Sequence, residues 1–259
     1  MYATNYFETM ILNVLNGVRA GAPSTVYVGL FLTNPGEAGG GTEISYTGYA
    51  RRAIAFDAPE SMEGGIGIKN SAEITFPTAP AAAGTVTHIG IFDALTSGNM
   101  LVYGELSEAQ TIEAQEAPVI VANEAKWWLS GDFSDWFKTQ ILNILRGTNC
   151  AGVSPHLALY NGDPDESGTE LSGNAYARLP LTFTSPSAQS GTNYMEIKNN
   201  AAVQSARATG DWGTWAYTVI MSAASGGNPV FKKQKSPAKY MRSGLLLNIP
   251  TAGLVLAVN

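Results

Sequence analysis

The chain has 259 residues, 45% of them hydrophobic and only 14% charged, with a formal net charge of −6. The acidic balance excludes a general nucleic-acid binder, which needs clustered Lys and Arg to neutralise phosphates, and the apolar fraction excludes a disordered chain and suffices for two cores, one per copy of the repeat described below. Charge well under the ~25% of ordinary soluble domains predicts a surface that is neutral, small or covered by partners.

A first helix is expected where Asn5 is followed three residues later by Glu8, as in a capping box. Phe7, Met10, Ile11 and Val14 share one helical face, and Gly17 supplies a stop. Strand signals follow, the first from Val26 to Phe31, ending at a turn on Asn34-Pro35-Gly36. Further short strands are expected near 49–56, 66–76, 85–93, 100–106 and 111–121, with Thr96-Ser97-Gly98-Asn99 as a hairpin turn. Trp127 and Trp128 come next, in a junction too short and too poor in Gly, Ser and Pro to act as a flexible linker. On a strand the two indoles would point to opposite faces. The outward one is a candidate anchor for an interdomain or intersubunit contact, with burial in its own domain as the equal alternative.

The same elements then return. Ser134 caps a second helix whose apolar face is Phe133, Phe137, Ile141, Ile144 and Leu145 and whose stop is Gly147; a strand at 157–160 ends at Asn161-Gly162-Asp163-Pro164, and Ser225-Gly226-Gly227-Asn228 repeats the hairpin turn. Ile11-Leu12-Asn13-Val14-Leu15-Asn16-Gly17 matches Ile141-Leu142-Asn143-Ile144-Leu145-Arg146-Gly147 at an offset of 130. Thr42-Glu43-Ile44-Ser45 and Tyr49-Ala50-Arg51 match Thr169-Glu170-Leu171-Ser172 and Tyr176-Ala177-Arg178 at 127, and Ile68-Lys69-Asn70 and Gly84-Thr85 match Ile197-Lys198-Asn199 and Gly213-Thr214 at 129. A unit of this length is a whole domain and not a solenoid repeat. The expected fold is therefore mainly β: two tandem β-sandwich domains, residues 1–129 and 130–259, each preceded by a short α-helix packed against one edge, with about six short strands per copy.

Little in the sequence points to chemistry. His88 and Asp93, five apart on one strand, point to opposite faces and the second copy replaces both, while His156 aligns with Tyr27. Asn161-Gly162-Asp163-Pro164-Asp165 starts like a calcium loop, but Glu166 stands at the sixth position and Ser172 at the twelfth, which excludes an EF-hand and leaves an ordinary turn or some other oxygen-lined site. The single Cys150 can form neither an intrachain disulfide nor a thiolate metal site. No catalytic, metal or cofactor residue is assigned and no cofactor is expected. Glu43 and Glu170 each precede an Arg, Arg51 and Arg178, by eight residues in matching contexts, which suggests a Glu–Arg bridge inside each fold.

Charge divides unequally between the copies. Residues 1–129 carry 5 basic and 13 acidic side chains and residues 130–259 carry 10 and 8, a net −8 against +2. Glu105, Glu108, Glu113 and Glu116 follow the late hairpin strand of the first copy; Lys232, Lys233, Lys235, Lys239 and Arg242 follow its counterpart. Together with Trp127 and Trp128 these are the candidate interface residues. The basic stretch is expected to meet an acidic surface, either the first copy of a neighbouring chain or another protein, with each rim pair worth only about 0.2–1 kcal/mol.

The order Val26-Tyr27-Val28-Gly29-Leu30-Phe31, Gly39-Gly40-Gly41-Thr42-Glu43-Ile44-Ser45, Gly48-Tyr49-Ala50-Arg51, Gly84-Thr85-Val86-Thr87-His88-Ile89-Gly90-Ile91-Phe92-Asp93-Ala94 and Gly98-Asn99-Met100-Leu101 resembles the small tailed-bacteriophage tail fibre proteins. The likeness covers almost all of the first copy. Ala83 stands where that family often has Trp before Gly-Thr, a feature the second copy keeps as Trp212-Gly213-Thr214. The resemblance implies a non-enzymatic structural component of a virion, tail- or fibre-associated, with a head decoration or cement protein, or a lectin-like receptor-binding module, as alternatives. Its implied partners are other virion proteins, copies of itself and a host-surface glycan, but neither nucleic acid nor a membrane span. The start Met1-Tyr2-Ala3-Thr4-Asn5 lacks signal-peptide character and no apolar run nears ~18 residues, so synthesis in the host bacterial cytoplasm is expected.

Overall fold

A computed structural model describes residues 2–258. Helix α1 (Asn5–Val14) is capped by Thr4, one residue before the expected Asn5. The Thr4 hydroxyl accepts the Phe7 N–H at 3.4 Å and donates to the Met100 carbonyl at 2.6 Å, so one side chain caps the helix and ties it to a strand. Glu8 then lies one position too deep to close a capping box. Helix α2 (Asp135–Ile144) is capped by Ser134, which accepts from Phe137 at 3.2 Å and donates to the Pro229 carbonyl. Both helices end in Schellman turns: the N–H groups of Val18 and Thr148 reach the carbonyls of Asn13 and Asn143 at 3.0 and 2.9 Å. The turn needs a left-handed residue, supplied by Gly17 at φ +79° and Gly147 at φ +84°.

In the first half, β1 (Tyr2–Ala3), β2 (Val26–Phe31), β3 (Arg52–Ile54), β7 (Gly84–Phe92) and β8 (Met100–Ile112) form an antiparallel sheet in the order β1-β8-β7-β2-β3. A second sheet, β10-β5-β4, comprises β4 (Glu60–Met62), β5 (Gly65–Lys69) and β10 (Lys126–Leu129); β6 (Ile74–Thr75) pairs with β9 (Val119–Ile120). The second half repeats the plan. Its main sheet is β12-β11-β16-β17, from β11 (His156–Tyr160), β12 (Leu179–Pro180), β16 (Gly213–Met221) and β17 (Pro229–Met241). Its second sheet is β13-β14-β19, from β13 (Ser187–Ala188), β14 (Met195–Lys198) and β19 (Val255–Ala257), and β15 (Val203–Gln204) pairs with β18 (Asn248–Ile249). Two tandem β-sandwiches, each with a helix ahead of its long strands, are the architecture.

Among the described residues the halves hold ten and nine strands, several of only two or three residues, where about six per copy are expected, and three further details depart from the expected elements. The strands expected at 100–106 and 111–121 are one strand, β8, through Ile112, followed by the short β9. The apparent break is a bulge: Val86 pairs with Gln110 and His88 with Glu105, so residues 106–109 stand opposite Thr87 alone. Residues 235–238 bulge in the same way opposite Ala216. The Trp127–Trp128 junction is itself a strand, β10, paired with β5.

The third departure concerns the helices. They are not laid on one edge but buried between the halves: α1 packs on β8 of its own half and β14 of the other, and α2 on β17 and on β5. Phe7, Glu8, Ile11, Leu12, Val14 and Leu15 are all at most 1% exposed, which takes more than one apolar face. As a result a single cluster of buried apolar side chains runs through both halves, where two separate cores were expected.

Candidate interaction surfaces

The Glu43–Arg51 and Glu170–Arg178 pairs are the same construction made twice. The Arg51 Nη2 and Nε atoms lie 2.8 and 3.0 Å from the Glu43 Oε2 and Oε1 atoms, a fork against a carboxylate. The corresponding Arg178–Glu170 distances are 2.7 and 2.9 Å. The third guanidinium nitrogen, Nη1, donates across to the hairpin turn, to Ser97 O at 2.7 Å in one half and to Gly226 O at 2.6 Å in the other. Tyr49 and Tyr176 complete the set: each hydroxyl donates to the carboxylate, at 3.0 and 3.1 Å, and accepts a strand N–H, from Leu30 or Leu159. Burial, and then the adjacent carboxylate, raise both phenols well above their ordinary range despite the opposing strand N–H. Every polar atom here is engaged with loop, strand or turn, so the set joins three parts of the fold. The tyrosines were visible in the repeated Tyr-Ala-Arg but carried no assigned role.

His88 and Asp93 do not meet. The His88 Nδ1 atom is 2.8 Å from the Thr87 hydroxyl, whereas Asp93 accepts the backbone and side-chain N–H groups of Asn99 at 2.7 and 2.9 Å across the hairpin turn. Ser222 does the same work in the second half, accepting Asn228 N–H at 2.8 Å. The carboxylates of the calcium-like stretch are also engaged: Lys232 Nζ sits 2.6 Å from Asp163 and 2.8 Å from Asp165. Burial opposes the charge on Lys232, but hydrogen bonds to the two aspartates outweigh it and raise its pKa. Among the described residues no three His, Cys, Asp or Glu side chains group as metal ligands.

Of the candidate interface residues, Trp127 is buried and its ring lies 5.7 Å from that of Phe7, inside the shared core. Trp128 is 42% exposed. Lys232 is turned inward onto its aspartates, Lys233 bonds Asp132, and the Lys235 ammonium lies 4.9 Å over the ring of Trp215. Lys239 and Arg242 are exposed and line, with Tyr240 and Leu245, an open concavity of about 680 Å³ on the β17 bulge. Glu105, Glu108, Glu113 and Glu116 are all exposed on the first half, and the Glu116 carboxylate accepts the Glu113 N–H at 2.8 Å.

Below the β8 bulge lies a groove of about 480 Å³ that has no signature in the sequence. Buried Leu30, Val86 and Ile89 form its floor, Trp128 closes one side, and Glu105 and Glu108 stand on its rim. Strand pairing places Val86 opposite Gln110 and Trp215 opposite Lys239, so the two are counterparts at the offset of 129. Where the first half leaves a groove over a valine, the second half fills the position with an indole.

Another cleft, of about 530 Å³, runs between Tyr2, Glu37, His88 and Tyr103 of the first half and Thr192 and Tyr194 of the second. Three aromatic side chains of the second half, Trp212, Trp215 and Tyr217, lie elsewhere. Trp212 is buried, with its N–H donated to the Asn174 carbonyl at 2.9 Å, and Trp215 and Tyr217 are partly buried against apolar clusters.

The model of the family described as podophage GP4 fiber I protein gp80 matches residues 2–127 and again residues 132–257. The chain belongs to the Gp80 family. Two consecutive Gp80 matches correspond to the two structural repeats, each beginning just before a capped helix and ending with the strand that pairs beside β5 or β14. Membership assigns it a structural role in a bacteriophage, as a component of the virion. No curated protein matches the chain. Among the described residues no helix is long and apolar enough to cross a membrane.

Proposed function

We propose that the chain is a non-enzymatic, tail- or fibre-associated component of a phage virion, made in the host cytoplasm. In this reading residues 1–129 and 130–259 are two domains that present different outer faces to neighbouring virion proteins. The observation that carries it is the double match to a fibre family on halves that share one core. A joint of this kind holds two unlike faces at a fixed angle, as a structural adaptor requires. The hydrogen-bonding side chains that could serve chemistry, the Glu–Arg forks and the Asp163–Asp165 pair, are spent on internal contacts. Purified virions separated into head and tail fractions provide the test, read by peptide mass spectrometry. Recovery with the tail supports the proposal; recovery with the head supports a decoration or cement protein, and absence from virions refutes both.

A second reading, contact with a host-surface glycan, draws on the cleft between the halves. Tyr2, Tyr103 and Tyr194 line it together with Asn34, His88 and Thr192, a mixture of ring faces and hydrogen-bonding groups suited to sugars. Binding on a glycan array that is lost in Tyr194→Ala supports this reading, and an array without signal removes it.

A further inference from the structure

We propose that the groove of the first half receives the basic β17 bulge of a second copy of this chain, joining copies head to tail. The inference goes beyond the virion role and stands without it, because it rests on how the two halves differ at equivalent positions. Along and just beyond the bulge-bearing strands, Glu108, Gln110, Glu113 and Glu116 of the first half correspond to Pro237, Lys239, Arg242 and Leu245 of the second at an offset of 129. Glu105 and Glu108 border an open apolar groove in the first half, with Glu113 and Glu116 further along the chain; the other face has become basic around exposed apolar groups. Tyr240 is 49% and Leu245 37% exposed beside Lys239 and Arg242.

The groove also specifies its occupant. In the second half the position of Val86 holds Trp215, with the Lys235 ammonium 4.9 Å over its ring. The fold therefore accommodates an aromatic ring under a cation at this place, where the first half has Val86 and Leu106. Tyr240, whose hydroxyl donates to Asp211 at 3.2 Å while its ring stays exposed between Lys239 and Arg242, supplies that combination from outside, with Glu105 and Glu108 on the rim to meet the cations. Glu124, also in the groove wall, is 4.0 Å from Lys126 and is partly neutralised by it. The two faces lie on different halves and do not match themselves, so copies either exchange both contacts in a closed pair or pass a single contact from chain to chain into a ring or a filament.

Sedimentation velocity of the purified full chain tests this at low salt and at about 0.5 M salt, where screening reaches only a few ångströms. The expected result is self-association at low salt, weakened at least about tenfold at high salt. Glu105→Lys/Glu108→Lys and Lys239→Glu/Arg242→Glu should each sediment as monomers, and an equimolar mixture of the two should associate again because each then offers the opposite charge to the other. Val86→Trp, which fills the groove without altering charge, should also be monomeric while keeping a cooperative thermal transition. A wild-type chain that stays monomeric at low salt overturns the proposal. So does association that survives either reversal, or a mixture of reversed chains that fails to recover it.

Discussion

Ala20 and Cys150 exchange both of their backbone hydrogen bonds, at 2.8 and 3.0 Å, and they are the same position of the repeat, separated by 130 residues. A residue that pairs with its own counterpart lies on a two-fold axis, so the halves meet as an isologous dimer does, within one chain. The neighbouring contacts follow the axis: Asn16 donates to Thr184 O, and its counterpart Arg146 donates to Phe56 O. The Val153 N–H reaches Val14 O at 3.0 Å, while the reciprocal position, Pro23, has no N–H to give.

The Cys150 thiol should report whether this junction opens. It is 2% exposed, and burial pushes its pKa up to about 11. Labelling by a disulfide reagent at pH 8 should therefore run at the rate of global unfolding and accelerate with denaturant. Rapid labelling in native buffer would show that the halves separate without unfolding.

Glu8 should make stability fall with rising pH. It is 1% exposed between the halves, and burial chiefly, with Glu37 adding and the Met195 N–H opposing, raises its pKa to about 8. Between the ordinary carboxylate range and pH 8 the unfolded chain releases this proton while the folded chain keeps it, so the contribution is full at acid pH and is lost as pH rises. Glu8→Gln retains an acceptor for the Met195 N–H, which lies at 2.7 Å. It should be more stable than wild type at pH 8 by up to about 4 kcal/mol and equal to it near pH 4, read by denaturant melts.

Arg51→Lys and Arg178→Lys should each cost nearly as much as the alanine variants. A lysine offers one point charge where the fork makes two parallel bonds and a third bond to the hairpin turn. A loss of about 2 kcal/mol per site is expected, below that of a fully buried pair because the glutamates keep partial access to water. Lysine variants at wild-type stability would reduce the construction to a surface ion pair.

Lys232→Met should destabilise by about 1–3 kcal/mol, since it leaves Asp163 and Asp165 facing each other without their cation. Adding Asp163→Asn should recover part of the loss. Strict additivity of the two changes in a double-mutant cycle would show that the contact carries no energy of its own.

The repeat could be read from the sequence because elements that need a particular residue kept it: Gly17 and Gly147 at left-handed turns, Ser134 at a cap, and the Glu, Tyr and Arg of each fork. Thr4 escaped because Asn5 is an equally good cap by type, and only the bond to Met100 distinguishes them. The continuous β8 escaped because a bulge sends Leu106-Ser107-Glu108-Ala109 out of the pleat and breaks the alternation that marks a strand. Lys232 looked like its exposed neighbours, and its partners lie about 70 residues away, beyond the reach of local pattern. The groove was illegible for another reason. It is a difference between Val86 and Trp215, and a small side chain has no signal until its surroundings are known.

The axis through Ala20 and Cys150 has one more consequence. In a dimer of identical chains a substitution beside the axis is forced on both sides at once, so a buried acid would have to face the same acid's environment twice. Covalent fusion lifts that coupling. Glu8 faces β14 while its counterpart is Lys138, held 3.2 Å from Asp135, and Tyr103 bonded to Glu37 is answered by Lys232 on its aspartates. The chain keeps the mechanical economy of a symmetric joint and escapes its tie between the two sides, so each side has been free to acquire its own neighbours.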